Sequence, residues 1–192
     1  HLDFKVSPAT LIPRPETELL IDIAVELFDS NQKIHVLDLG TGSGVIAITL
    51  ADKCPSWQLS ATDKSNDALE IAKLNATRKI DFYCGNWFEP LPNKKFDLII
   101  SNPPYIAEND PHLEGLKHEP IEALISGKDG LDDIREIIKQ APQNLNSGGY
   151  ILLEHGYNQK IEITKLLENS FTNIKTYKDY NSIDRAILAQ YL

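Results

Sequence analysis

From Ile34 to the C-terminus, short apolar runs alternate with longer amphipathic stretches, and few folds accommodate that rhythm. Ile34-His-Val-Leu-Asp-Leu39 reads as a buried strand, Gly40 to Gly44 as a turn and Val45 to Lys53 as a helix. Trp57 to Thr62 is a second strand. Ser65 to Thr77 is helical, with apolar positions at Ala68, Leu69, Ile71, Ala72 and Leu74, and Ser65 suits the N-cap. Ile80 to Cys84 is a third strand, and Phe96 to Ile100 a fourth, nearly all apolar as expected of a strand covered on both faces. A Pro-rich polar loop runs from Asn102 to about Gly130, a length that marks a functional or disordered segment. A helix from Leu131 to about Leu145 then leads through Ser147-Gly-Gly149 into the strand Tyr150 to Glu154, and Gln159 to Ser170 is the last helix. Asn173 to Tyr177 and Arg185 to Tyr191 read as a hairpin around Asn181-Ser182. The alternation predicts an α/β fold, a three-layer αβα sandwich around a mainly parallel seven-stranded sheet. The C-terminal hairpin inserts one antiparallel strand.

Upstream, His1 to Ile12 reads as extended chain and Pro15 to Phe28 as a helix. Pro15 suits the first helical position, and Glu16 and Glu18 complement the positive end of the helix dipole.

Composition narrows the function. Lys plus Arg is 19 and Asp plus Glu 28, a net charge of −9, which disfavours a general electrostatic grip on nucleic acid or anionic membrane. Cys54 and Cys84 form no CxxC and read as two small buried hydrophobes in a reducing cytoplasm. His1, His35, His112, His118 and His155 are scattered, so no metal site is expected. The longest strongly apolar stretch, Val45 to Ala51, is too short to span a bilayer. There is no Met and the chain opens on His1, so the sequence reads as one that has lost its start.

In a doubly wound sheet, ligands sit at the carboxyl ends of the strands. Gly40-Thr-Gly42-Ser-Gly44 stands at such an end, where glycines let backbone approach a ligand. The spacing is GxGxG, Val45 stands where a dinucleotide fingerprint needs a small residue, and no GK[ST] follows. Asp38 would be an unfavourable charge beside a pyrophosphate. Asp63, after the second strand, can accept both hydroxyls of a ribose. A nucleoside without pyrophosphate fits this set better than NAD, and S-adenosylmethionine is one whose positive charges suit an acidic site. The alternative is a glycine turn with no ligand.

Asn102-Pro103-Pro104-Tyr105 follows the fourth strand. Two prolines stiffen the loop and leave its carbonyls free as acceptors, and Asn102 offers a side-chain carbonyl as well. Two acceptors can hold both hydrogens of a planar –NH2 while Tyr105 stacks on its face. Such a grip favours a tetrahedral nitrogen and its attack on a methyl group, by positioning and electrostatics alone. The alternative is a rigid Pro-Pro turn.

Together, Val36-Leu-Asp-Leu-Gly-Thr-Gly-Ser-Gly44, Asn102-Pro-Pro-Tyr105 and Leu11-Ile-Pro-Arg-Pro-Glu-Thr-Glu18 resemble the HemK/PrmC family of class I, Rossmann-like methyltransferases. The resemblance extends through Glu119-Pro120, Gly127 to Gly130 and Leu152-Leu-Glu-His-Gly156. It implies methylation of N5 of the glutamine in the Gly-Gly-Gln tripeptide of peptide chain release factors, by a cytoplasmic monomer that converts S-adenosylmethionine to S-adenosylhomocysteine. It implies that Gly40, Thr41, Gly42, Ser43, Gly44 and Asp63 bind the cofactor, with Asn86, Trp87 and Asn102. By the same resemblance Asn102, Pro103, Pro104 and Tyr105 would hold the glutamine, and Asn102, Pro103 and Tyr105 would form the catalytic set. Relatives often carry Asp where Asn86 stands, and Trp87 has the alternative of a plain core aromatic. Arg14, Glu16 and Glu18 either line the active-site mouth or cap and pair the helix. On this resemblance residues 1–30 are expected to form a connecting hairpin and first helix and 31–192 the methyltransferase domain, with the family's upstream helical docking domain expected to be absent from this chain.

Three rivals remain at this point: a glutamine methyltransferase of a ribosomal protein, a DNA adenine-N6 methyltransferase, and a non-catalytic cofactor-binding scaffold. The acidic balance and the lack of an evident target-recognition segment disfavour the DNA enzyme, and an intact Asn102 and Asp63 disfavour the scaffold.

Overall fold

The computed structural model describes residues 2–116 and 119–192; His1 and His118, two of the scattered histidines, lie outside the described residues. Helix α1 (Pro15–Leu27) precedes the strand-helix alternation β1 (His35–Leu39), α2 (Val45–Lys53), β2 (Gln58–Asp63), α3 (Asn66–Asn75) and β3 (Asp81–Cys84). There follow β4 (Phe96–Ser101), α4 (Asp132–Gln140), β5 (Leu145–Glu154), α5 (Lys160–Leu167), β6 (Phe171–Lys178) and β7 (Asp184–Tyr191). The seven strands form one sheet in the order β3-β2-β1-β4-β5-β7-β6. Neighbours from β3 through β5 pair in parallel, and β7 runs antiparallel to both β5 and β6. The expected three-layer sandwich with an antiparallel hairpin strand is therefore the fold observed.

Two apolar layers bury the sheet. On one face, Leu20, Ile21, Ile23 and Ala24 of α1 pack with Ile46, Ala47, Ile48 and Leu50 of α2 over Val36, Leu98 and Leu152. On the other, Ile134, Ile137 and Ile138 of α4 and Ile163 and Leu167 of α5 cover Leu37, Ile99 and Ile151. Each fully buried Leu or Ile contributes about 1.5–3 kcal/mol relative to exposure. The central strands β1 and β4 touch both layers, so apolar residues stand on both faces of each rather than on alternate positions, with Asp38 and Asp97 as the charged interruptions.

Several boundaries differ from the sequence reading, each for a local reason. The helix expected to reach Leu145 ends at Gln140 in a 3-10 turn, Ala141–Gln143, because Pro142 has no N–H to continue the ladder. Ser147-Gly-Gly149, read as a connecting turn, lies inside β5: pairing with β4 jumps from Phe96↔Leu145 to Leu98↔Tyr150, so the three residues bulge within a longer strand. The long loop after β4 carries 3-10 turns at Pro111–Leu116 and Ile121–Ala123 and an isolated bridge between Ile106 and Ile125. Cys54 is buried as expected, but Cys84 is exposed, because β3 is an edge strand and its last residue points outward. Among the described residues no helix is long and apolar enough to cross a membrane.

The winding reverses between β1 and β4, so the loops leaving those two strands diverge and open a crevice at their carboxyl ends. Register aligns those ends: Leu39 lies opposite Ser101 on one side and Thr62 on the other. The Ser101 hydroxyl donates to the Leu39 carbonyl at 2.7 Å, tying the two central exits together.

Candidate active site

A cleft of about 200 Å³ occupies that crevice. Its floor is the loop Gly40 to Ser43 with Asp63, Asn86 and Trp87; Asn102 and Pro104 close one end. Ala9, Leu11, Pro13 and Thr17 wall it from the N-terminal side, and Pro120, Glu122 and Ala123 from the long loop.

The glycine loop is shaped by positive backbone angles, φ +69° at Gly40, +56° at Gly42 and +87° at Gly44, where a side chain is strained. The point where a Gly42 Cβ would stand has no atom within 4 Å, so this backbone faces open cleft. Gly44 faces the other way: a Cβ there would fall 2.6 Å from the Ile48 side chain, so this glycine allows α2 to start rather than lining the cleft.

Two carboxylates hold the loop. Asp38, fully buried, accepts from the Thr41 hydroxyl at 2.6 Å and from the Ala47 N–H at 3.2 Å, both on Oδ2. Asp63 accepts from Gly42 N–H on Oδ2 and from Ser65 N–H on Oδ1, each at 2.9 Å. A carboxylate offers about four acceptor sites, so each Asp63 oxygen retains capacity for a further donor facing the cleft. Burial raises the Asp63 pKa above its ordinary value. Trp87, itself at φ +43°, lays its ring so close over Gly40 that a Cβ there would meet it at 3.3 Å. Asn86 is exposed at the rim.

Around Asn102 the structure gathers residues that sequence reasoning missed. The Asn102 amide N–H donates to the Thr17 hydroxyl at 3.2 Å. Thr17 donates in turn to Glu154 Oε2 at 3.2 Å, and the Tyr105 hydroxyl donates to Glu154 Oε1 at 3.2 Å. Thr17 is in the first turn of α1 and Glu154 ends β5, next to the register pair Ser101↔Leu153. Tyr105 thus turns its hydroxyl away from the cleft, and its ring packs on the second apolar layer; neither it nor the buried Pro103 lines the cavity. Gln159 pins the loop from behind, its Nε2 donating to the carbonyls of Tyr105 (2.9 Å) and Gly130 (3.1 Å). Gly130, at φ +77°, must lack a side chain, since a Cβ would fall 2.3 Å from the Tyr105 carbonyl oxygen.

Arg14 forms an ion pair with Glu119, which links the segment before α1 to the long loop. Lys64 and Glu122 pair at 3.4 Å across the same opening. Glu16 is half-buried and close enough to act electrostatically on Tyr105 and Glu154, whereas Glu18 is exposed; neither lines the cleft. Among the described residues no cluster of His, Cys, Asp and Glu could hold a metal ion. Thr17 lay one position from residues that the sequence had singled out, and Glu154 lay within Leu152-Leu-Glu-His-Gly156, but only their spacing in three dimensions marks them.

Burial pushes the carboxyls of Asp38 and Glu154 up to about 7. In the unfolded chain they ionise near their ordinary values of 3.8 and 4.5. Between those values and pH 7 the folded state holds protons that the unfolded chain has released, so stability falls as pH rises. His155 runs the other way: burial lowers its pKa, so it favours the folded state as pH rises toward its ordinary value of 6.5. With two carboxyls against one imidazole, the ligand-free protein is expected to melt at a lower temperature at pH 8 than at pH 5.5. An equal or higher melting temperature at pH 8 would contradict these burial effects.

Comparison with known proteins places the chain among methyltransferases. The family model "Methyltransferase small domain" matches residues 17–122. A release factor glutamine methyltransferase of Vibrio cholerae is 46% identical over 201 residues, 99% of this chain and 69% of that protein. That of Coxiella burnetii is 42% identical over 194 residues, 98% of this chain and 70% of that protein. Among solved structures, a methyltransferase from Pyrococcus furiosus superposes with a TM-score of 0.73 at 19% identity, covering 98% of this chain and 88% of its own. The N-methyltransferase NodS from Bradyrhizobium japonicum, solved with S-adenosyl-L-homocysteine, gives 0.63 at 15% identity, covering 93% and 87%. At such identities these two structures speak for the fold.

Proposed function

The chain belongs to the release factor glutamine methyltransferase family, and on that premise we propose that it transfers a methyl group from S-adenosylmethionine to N5 of the glutamine in the Gly-Gly-Gln tripeptide of a peptide chain release factor. The observation that carries this reading is convergence. A backbone cradle at Gly42, a carboxylate at Asp63 and, from the Asn-Pro-Pro-Tyr loop, Asn102 and Pro104 open on one cleft at the switch point of the sheet.

The residues fit the cofactor by the chemistry of their donors and acceptors. Asp63 has acceptor capacity for two ribose hydroxyls, Gly40 to Ser43 present backbone to the cleft without side-chain obstruction at Gly42, and Trp87 and Asn86 line the same cleft and would flank an adenine. When bound, S-adenosylmethionine supplies an electrophilic methyl carbon, which the amide nitrogen takes as the carbon–sulfur bond breaks and its electron pair stays on sulfur. An amide nitrogen is a poor nucleophile, since its lone pair is delocalised. The Asn102 side-chain carbonyl and a backbone carbonyl of the proline pair grip its two hydrogens, favour the pyramidal nitrogen and stabilise the positive charge that develops there. Once the new bond has formed, the positively charged nitrogen releases one of those protons to solvent, which restores a neutral secondary amide. Rigid prolines hold the acceptors in place before the substrate arrives, so no reorganisation accompanies the reaction.

A labelled-methyl transfer assay, offering a release factor, a ribosomal protein and adenine-containing DNA in parallel, tests this function. Label in the release factor, mapped to its glutamine, is expected. Label only in the ribosomal protein or only in DNA would overturn the substrate assignment.

A further inference from the structure

We propose that Thr17 and Glu154 are positioning residues that set which end of the Asn102 side-chain amide faces the substrate. The proposal rests on the glutamine methyltransferase reading. A primary amide has a donor end and an acceptor end of nearly the same shape, and only the acceptor end can hold the hydrogens of another –NH2. If Asn102 turned its own –NH2 toward a glutamine amide, two donors would meet and the grip on the nitrogen would be lost.

The hydrogen-bond chain resolves this choice through its polarity. An ionised Glu154 is acceptor-only. Its two oxygens receive hydroxyl hydrogens, from Thr17 on Oε2 and from Tyr105 on Oε1. With its single hydrogen committed to Glu154, the Thr17 hydroxyl has only lone pairs left for Asn102. The amide must therefore give Thr17 its N–H, as it does at 3.2 Å, and its Oδ1 is left for the cleft. Thr17 is 3% exposed and Glu154 1% exposed, so water does not compete for these bonds. The chain crosses three elements: the first turn of α1, the exit of β4 and the end of β5. The orientation of one amide is thus fixed by the packing of the fold.

The charged and titratable groups facing Glu154 are Arg185 from β7, Glu16 from α1 and Tyr105 from the loop; burial, the largest influence, opposes the carboxylate, as Glu16 does, while Arg185 and the hydrogen bonds from Thr17 and Tyr105 favour it. When Glu154 takes up a proton it becomes a donor toward Thr17. The Thr17 hydrogen is then freed to point at Asn102, and the amide can reverse. Turnover should therefore decline on the acid side as Glu154 protonates.

The test measures release factor methylation at saturating S-adenosylmethionine with the wild-type protein and the variants Thr17→Val, Thr17→Ser and Glu154→Gln. Thr17→Val keeps the side-chain shape but removes the hydroxyl. It should lower kcat by about ten- to a hundredfold, with KM for the release factor changed less than about threefold, because an acceptor aimed at developing charge is lost. Thr17→Ser should restore kcat to within about threefold of wild type. Affinity for S-adenosylhomocysteine, by calorimetry, should be unchanged in all three. In the ligand-free protein, Thr17→Val should shift the side-chain –NH2 resonances of Asn102, a readout independent of activity. Glu154→Gln should lose the acid limb of the kcat profile. Turnover of Thr17→Val within twofold of wild type, or Ser performing no better than Val, would overturn the proposal. Should the valine variant fail to fold, the Glu154→Gln profile decides alone, and a retained acid limb counts against it. If the wild type leaves the release factor unlabelled, the functional reading has failed, while the Asn102 resonances still report whether Thr17 anchors the amide.

Discussion

Asn102→Ala is expected to reduce methyl transfer on the order of a hundred- to a thousandfold or more, while S-adenosylmethionine still binds within about threefold of wild-type affinity. The two effects separate because the residues serve different partners. Asn102 stands at the end of the cleft and, in the proposed function, would supply an acceptor to the nitrogen that reacts, an interaction that strengthens as charge develops. In the proposed function the cofactor would be held on the other side, by the Gly40 to Ser43 backbone and Asp63, and the hydrogen bonds that fix Asp63 to that loop do not pass through Asn102. Truncation frees the Thr17 hydroxyl toward the cleft, but that group lies one link too far back to replace the missing carbonyl. Single-turnover measurement at saturating cofactor isolates the chemical step; a rate within tenfold of wild type would remove Asn102 from the catalytic set.

The second large effect concerns Asp63. With the ribose contact proposed for Asp63, Asp63→Ala should weaken cofactor binding by at least about a hundredfold, since each hydrogen bond to a charged acceptor contributes roughly 1.5–3 kcal/mol and two ribose hydroxyls would lose theirs. The variant also leaves the N–H groups of Gly42 and Ser65 without their acceptor, loosening the loop that forms the floor. Asp63→Asn should recover little. Its single carbonyl can serve Gly42 or Ser65 but not both, and its –NH2 opposes whichever N–H remains. Titration calorimetry reads the change directly. Unchanged affinity for Asp63→Ala would count against the ribose assignment.

Much of this architecture is visible in the order of residues. Adjacent apolar residues in β1 and β4, Val36-Leu37 and Leu98-Ile-Ile100, announce strands buried on both faces, and Gly40 to Gly44 followed by a helix announces a ligand-facing turn. These signals are legible because they are local. What is not legible is what depends on long-range contact. Thr17 and Glu154 are 137 residues apart and lie in segments whose periodicity says only helix and strand. The bulge at Ser147 to Gly149 arises from pairing with β4, so a Ser-Gly-Gly run that resembles a turn becomes part of a strand. Tyr105 reads as a stacking ring from its motif, yet a buried carboxylate draws its hydroxyl inward. Cys84 ends an edge strand, a fact set by the sheet order rather than by its neighbours in sequence.

The wall formed by Ala9, Leu11 and Pro13 has a thermodynamic consequence. This segment belongs to no helix or strand; it is held by a turn at Ser7–Thr10, by the paired hydrogen bonds between Lys5 and Asn75 upstream, by the Arg14–Glu119 ion pair at its end and by its contact with the cleft. A ligand that fills the cleft binds only the arrangement in which that wall is closed. Occupancy and local order are therefore linked, and at a hundredfold excess over Kd the ligand stabilises the closed wall by about 2.7 kcal/mol against opening. The N-terminal segment is in that sense a reporter of the cofactor: it should be the most protected when the pocket is full and the first to loosen when the product leaves.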